Sequence, residues 1–242
     1  MKKKRILKGI GLILVGTALI LAYAYGQTAQ EMCTYEKAEI TIQSPLNQLL
    51  VEQSEVEKVV HQALLAQEDS NGLKINTFLL ETSLNSLPYV RNAQVYWNLN
   101  NTIAVQVSAL QAKAKVFIGS TKYLLTTDNQ LLPAPKKVQV DVPILTGIED
   151  SAAAIEAGSW LDMAIASPAF DQNTISQIHI NGDHLLISPT GCTHDVVANA
   201  DERLANDLTK LSAFYAAKSN EELNNIQRLD VRFKNQVVQT AR

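Results

Sequence analysis

The chain has 242 residues, of which 46% are hydrophobic, 19% charged and 6% aromatic; this is enough apolar material for one large or two small packed domains and argues against a disordered chain. The formal charge of −3 conceals an asymmetry: residues 1–26 hold five of the 21 basic residues and no acid, leaving 16 bases against 24 acids, a net −8, in the remainder. An acidic body argues against gripping a nucleic-acid backbone, and two cysteines exclude both a disulfide-dense scaffold and a four-thiolate zinc site.

The basic residues Lys2, Lys3, Lys4, Arg5 and Lys8 precede an uncharged run from Gly9 to Gly26. As a helix this run is about 27 Å long, close to the roughly 30 Å hydrocarbon core of a bilayer. The basic flank would stay in the cytoplasm and place the body outside, with Tyr23 and Tyr25 at the outer interface. The expected divisions are a cytoplasmic tail over 1–8, a transmembrane helix over 9–26 and a linker over 27–35. Ala22-Tyr23-Ala24 also fits the small-x-small pattern of a cleaved signal. Anchor and signal both export the body. Export permits a Cys33–Cys192 disulfide, while a juxtamembrane thiol and an unrelated buried cysteine fit the sequence equally.

A first module is expected over 36–113. Glu36 to Gln43 alternates as a strand, with Ala38, Ile40 and Ile42 on one face. Ser54 and Glu57 have capping-box spacing, and Val56, Val60, Ala63 and Leu64 follow at helical spacing. A second helix from about Asn76 carries Leu80, Leu84 and Leu87 and is closed by Pro88; Glu57 and Glu81 read as surface charges or caps. Ala93, Val95, Trp97 and Leu99 alternate with Gln94, Tyr96 and Asn98, and a turn at Asn100-Asn101 returns the chain through Ile103, Val105, Val107 and Ala109. The order strand, helix, helix, strand, strand predicts two helices on one face of a three-stranded sheet.

The remainder, 114–242, reads mainly as strands. A hairpin is predicted around Asp128-Asn129, an extended segment over Val142 to Gly147 and a helix over Ala152 to Ala166. Asn181-Gly182, between Ile178, Ile180 and Leu185, Ile187, is a hairpin signal. A helix over Ala200 to Ala217 presents Leu204, Leu208, Leu211 and Phe214. The chain closes on a predicted strand, Arg228 to Val238, with Leu229, Val231 and Phe233 on one face and Arg228, Asp230, Arg232 and Lys234 on the other.

Glycine-rich phosphate loops, G-x-S-x-G elbows and H-E-x-x-H pairs are absent. His184, Cys192, His194 and Asp195 are the one concentration of metal-ligand types, but Cys192-Thr193-His194 is too short to be specific, and His179 and His184 are expected on opposite faces of their strands. The sharper candidate is the last strand, whose outer edge either needs protection or accepts a partner strand. Its Arg232 and Lys234 serve either as guards against aggregation or as partners for acidic groups.

Four stretches together resemble the FtsQ/DivIB family: Leu84-Asn85-Ser86-Leu87-Pro88-Tyr89-Val90 with Ala93 and Val95; Asn101-Thr102-Ile103-Ala104-Val105-Gln106-Val107 with Ala112 and Ala114; Val142-Pro143-Ile144-Leu145-Thr146-Gly147; and Leu229-Asp230-Val231-Arg232-Phe233-Lys234-Asn235. Their order behind one N-terminal apolar segment is more specific than any one of them. Asn129 stands where the family commonly has glycine, and Phe233 where it has tyrosine.

The resemblance implies an α+β fold: an uncleaved transmembrane helix, a POTRA domain (β-α-α-β-β) over 36–113, and a mainly antiparallel β-domain with flanking helices over 114–242. It implies a non-enzymatic divisome scaffold without cofactor, metal or small-molecule substrate. Such a scaffold sits in the inner membrane as a single-pass protein, its bulk periplasmic and concentrated at the septum. The implied partners are FtsB-like and FtsL-like bitopic proteins. They would dock by strand addition over Arg228, Asp230, Val231, Arg232, Phe233, Lys234, Asn235, Gln236 and Val237, with Phe233 either a core residue, which alternation favours, or an apolar anchor at the contact. A second docking surface would be Gln94, Tyr96 and Asn98. The alternatives are another exported POTRA scaffold for secretion or envelope assembly, and an exported metal-dependent enzyme using His184, Cys192 and His194.

Overall fold

The computed structural model describes residues 15–21, 23, 37–44, 48, 50–66, 68–69, 72–73, 76–98, 102–135, 140–170 and 174–242. Residues 15–21 and 23 are helical (α1). The rest of the expected transmembrane segment, the basic tail, the linker, Cys33 and the Asn100-Asn101 turn lie outside the described residues. Among the described residues no helix is long and apolar enough to cross a membrane. The chain divides into two units, one over 1–43 and 52–108, the other over 44–51 and 109–242.

In the first unit, β1 (Lys37–Gln43) is followed by α2 (Gln53–Ala66), a two-residue ladder between β2 (Glu68–Asp69) and β3 (Gly72–Leu73), α3 (Thr77–Asn85), β4 (Val90–Trp97) and β5 (Thr102–Ala109). The sheet order is β1-β5-β4, with β1 parallel to β5. Ala38, Ile40 and Ile42 lie in register with the fully buried Ile103, Val105 and Val107. Val56, Val60, Leu80 and Leu84 supply the helical side of this core. The expected capping box at Ser54 and Glu57 does not form. α2 starts at Gln53, ahead of the position that this spacing implies, and the Glu52 carbonyl takes the first amides, those of Glu55 and Val56. Ser54 Oγ donates instead to Glu52 Oε2 at 3.3 Å, and Gln53 Nε2 donates to Glu57 Oε1 at 2.8 Å. Asn76 does cap α3, accepting from the Leu79 amide at 3.2 Å.

The second unit is built on a nine-stranded sheet in the order β14-β13-β12-β11-β10-β9-β6-β7-β8. In chain order these are β6 (Ala112–Ile118), β7 (Thr121–Thr126), β8 (Leu131–Pro133), β9 (Ile144–Ile148), β10 (Ile175–Asn181), β11 (His184–Pro189), β12 (Asp195–Asn199), β13 (Ile226–Asp230) and β14 (Val238–Ala241). The expected antiparallel character holds for most neighbours, but β6–β9, β9–β10 and β12–β13 are parallel. Parallel neighbours need a crossover; α4 (Ser151–Ala166) provides one between β9 and β10. A second, between β12 and β13, is carried by α5 (Leu204–Ala216) and α6 (Asn220–Asn224), and β6 reaches β9 by way of β7 and β8. Residues 44–51 belong here because the Gln48 side chain pairs with a strand end as backbone would: Nε2 donates to the Ala112 carbonyl at 3.1 Å and Oε1 accepts from its amide at 2.9 Å.

One row of fully buried residues, Ile178, Ile187, Val196 and Leu229, runs in register across β10 to β13. Leu204, Leu208 and Leu211 of α5 and the alanine stripe of α4 (Ala154, Ala157, Ala164) share its core. Within α4, a Cβ on Gly158 would meet Leu125 Cδ2 at 2.4 Å, so the missing side chain admits Leu125 and the stem of Lys113. The Lys113 ammonium reaches Asp162 at 2.8 Å and Asn129 Oδ1 at 2.9 Å. Asn129 itself adopts φ +58°, the left-handed geometry that asparagine tolerates in place of glycine. The β10–β11 turn is displaced by one residue from expectation: Asn181 pairs with His184, and Gly182 at φ +61° takes the first central position, as in a type II′ turn.

Candidate partner-binding surface

The continuous strand expected over Arg228 to Val238 is instead a hairpin. β13 ends at Asp230, the chain turns through 231–237, and β14 returns antiparallel with Asp230 opposite Val238. β13 is therefore flanked on both sides, by β12 and β14, and has no edge to offer; β14 is the outermost strand. A tertiary contact marks the break. Val231 still donates its amide to the Val197 carbonyl at 2.9 Å and is fully buried, but its own carbonyl is taken by a lysine from α5.

That lysine is Lys210. Its Nζ donates to the carbonyls of Val231 and Phe233, the latter at 2.7 Å, and pairs with Asp207 Oδ1 at 3.0 Å. Asp207 is 2% exposed. Its other oxygen accepts from both the backbone amide and the side-chain amide of Asn199, at 2.9 and 2.7 Å. A buried carboxylate is tolerable only when paired and hydrogen-bonded, and this one has three partners. The result is a polar staple from β12 through α5 to the terminal loop.

The staple turns Phe233 outward, to 49% exposure, which overturns the core position that alternation favours among its two expected ones. Arg232 folds back on Asp230 as a bidentate pair at 2.9 and 2.6 Å, so its charge is satisfied within the chain rather than held out for a partner. Burial pushes the Asp230 carboxyl up, but the Arg232 hydrogen bonds and charge outweigh it and hold the group below its ordinary value. Arg228, Lys234, Asn235 and Gln236 are exposed and Val237 is half-buried; Asn235 closes the turn at φ +56°.

The outer edge of β14 has a defined register. The Arg242 amide donates inward to the Asn225 carbonyl at 3.2 Å, so by strand alternation Thr240 and Val238 also face β13, and Gln239 and Ala241 direct their amides and carbonyls outward. On the sheet face opposite the buried core, Thr146, His179, Leu186, Val197, Asp230 and Val238 form a row in register.

That register places His179 and His184 on the same face, contrary to expectation, because Asn181 pairs with His184 and shares a face with His179. Three of the four candidate metal ligands have separate partners. His184 meets Asp183 at 3.2 Å, Asp195 accepts from Ser188 at 2.7 Å, and His194 Nε2 lies 2.9 Å from the Tyr215 hydroxyl. Cys192 is exposed. Burial lowers the pKa of His194 and raises that of Tyr215, keeping both neutral. In the first unit, Gln94 and Tyr96 are exposed on the outward parity of β4, while Asn98 lies just beyond its end. Tyr96 accepts from Gln106 Nε2 at 2.8 Å, and Asn98 Nδ2 donates to Thr102 Oγ1 at 3.0 Å.

Asn199, Asp207 and Lys210 are the contributors that sequence reasoning misses. Asp207 and Lys210 look like a solvated i,i+3 pair; the one available signal is that the pair flanks the core residues Leu208 and Leu211.

A POTRA-like domain model matches residues 31–108. Among solved structures, the major extracytoplasmic domain of the trans isomer of the bacterial cell division protein DivIB from Geobacillus stearothermophilus is 24% identical, aligns over 46% of this chain and 94% of that chain, and has a TM-score of 0.32. No curated protein matches. The model described as FtsQ/DivIB, C-terminal related, matches residues 112–240, more than half of the chain and all of the sheet up to its last strand, and the chain belongs to the FtsQ/DivIB family.

Proposed function

We propose that this chain is a non-enzymatic scaffold of the bacterial divisome, anchored by the apolar segment over 9–26 with its tail in the cytoplasm and its two units outside. Its partners in this reading are FtsB-like and FtsL-like bitopic proteins at the septum, and its docking site is the terminal hairpin. Membership of a cell-division family supports the role. The observation that carries the site is the outermost position of β14 beside a loop that exposes Phe233. A partner strand would bond to the outward amides and carbonyls of Gln239 and Ala241. Phe233 would enter an apolar pocket of the partner, and Arg228 and Lys234 would favour acidic neighbours. Asp230, Val231 and Arg232 hold the loop rather than touch the partner; Asn235, Gln236 and Val237 complete its rim. Gln94, Tyr96 and Asn98 form the second, smaller docking face.

Depletion of the protein from its own cells tests the role. The expected outcome is loss of septation and filamentous growth, restored by the full chain. Normal division in depleted cells contradicts the proposal.

A further inference from the structure

In the first unit β4 is an outer strand of the sheet, so every second backbone amide along it points away from β5. Two of these are occupied from within the chain. The Ala93 amide donates to Asn85 Oδ1 at 2.9 Å, and the Val95 amide donates to Glu81 Oε1 at 2.7 Å. Both acceptors lie on α3, four residues apart. Four helical residues rise about 6 Å, and two strand residues span about 6.6 Å, so one face of α3 supplies acceptors at nearly the strand repeat. Running Glu81 to Asn85 against Val95 to Ala93, the two side chains imitate an antiparallel neighbour.

We propose that Glu81 and Asn85 close the β4 edge against strand addition, so that neither an extended peptide nor a second copy of this chain can pair with it. Whatever reads Gln94, Tyr96 and Asn98 then does so through side chains on the sheet face. This inference is independent of the divisome reading.

Two measurements on the full-length protein test it. Hydrogen exchange in the wild type should find the Ala93 and Val95 amides protected, although they face away from β5. A labelled synthetic peptide with the sequence of residues 90–98 should bind the Glu81→Ala/Asn85→Ala variant about tenfold more tightly than the wild type, the gain expected from two released backbone donors. Glu81→Gln keeps an acceptor and should behave as wild type. Wild-type amides that exchange as unbonded ones, equal peptide affinity for wild type and a folded double variant, or Glu81→Gln binding like the double variant would each overturn the proposal. If the double variant fails to fold, the wild-type exchange rates decide alone.

Discussion

Lys210 is the residue on which the terminal loop depends. Its ammonium serves Asp207 and two carbonyls of the loop, and removing it leaves a buried carboxylate with only Asn199. Lys210→Met should therefore cost about 3 kcal/mol of stability, the scale of breaking a buried pair from one side, and should raise hydrogen exchange at 231–235. A change within about 0.5 kcal/mol, the scale of an ordinary surface substitution, would mean that the pair is solvated. His194 supplies a pH dependence. Its folded pKa is depressed below 6.5 by burial, so the unfolded chain takes up the proton first. Its contribution to stability is present above pH 6.5 and is lost as the pH falls below it. The urea midpoint should drop over that window, and His194→Gln should flatten the drop while keeping a partner for Tyr215; an unchanged slope would contradict the assignment.

At the scale of elements, glycines divide by what surrounds them. Gly147 sits at φ +76° with the Ile180 carbonyl oxygen 2.0 Å from where a Cβ would lie, whereas Gly182 at φ +61° faces open space. Gly182→Ala should cost only the backbone term, about 1–2 kcal/mol. Gly147→Ala must also part β9 from β10 and should cost clearly more, or prevent folding; equal midpoints in thermal melts would refute this. Element type was largely legible beforehand because each core stripe has a clean period, as in Ile103, Val105 and Val107 or Leu204, Leu208 and Leu211. Boundaries failed at two places. α2 starts at Gln53, ahead of the Ser54–Glu57 spacing, with the Glu52 carbonyl taking its first amides, while a capping box did form at Ser219 and Glu222, holding the Glu222 carboxyl at about 2 through Lys218 and the Ser219 backbone. The alternation of Leu229, Val231 and Phe233 read as one strand because no local signal marks Lys210, more than twenty residues from Phe233, as the group that bends the chain.

For the whole molecule, the order of elements and of the short family-like stretches was readable at sequence level, whereas the proposed docking site was not, since it depends on which strand ends up outermost. The nine-stranded sheet leaves two outer strands, β8 and β14. β8 ends in Pro133, which lacks a donor and is at home on an edge. β14 carries no proline and turns Gln239 and Ala241 outward. This sheet therefore has one protected end and one end suited to pairing.

The direct test is the affinity of the full-length protein for the exported segments of FtsB-like and FtsL-like proteins, with Gln239→Pro and Phe233→Ala beside the wild type. Proline at Gln239 removes an outward donor and leaves the inward bonds of β14 to β13 in place, and Phe233 is half exposed. Both variants should keep the wild-type melting temperature. The account predicts wild-type binding, weakened by about 2 kcal/mol or more in each variant, the size of a hot-spot contact. Equal binding by all three proteins would contradict the terminal hairpin as the docking site, and no binding by the wild type would contradict the proposed partners.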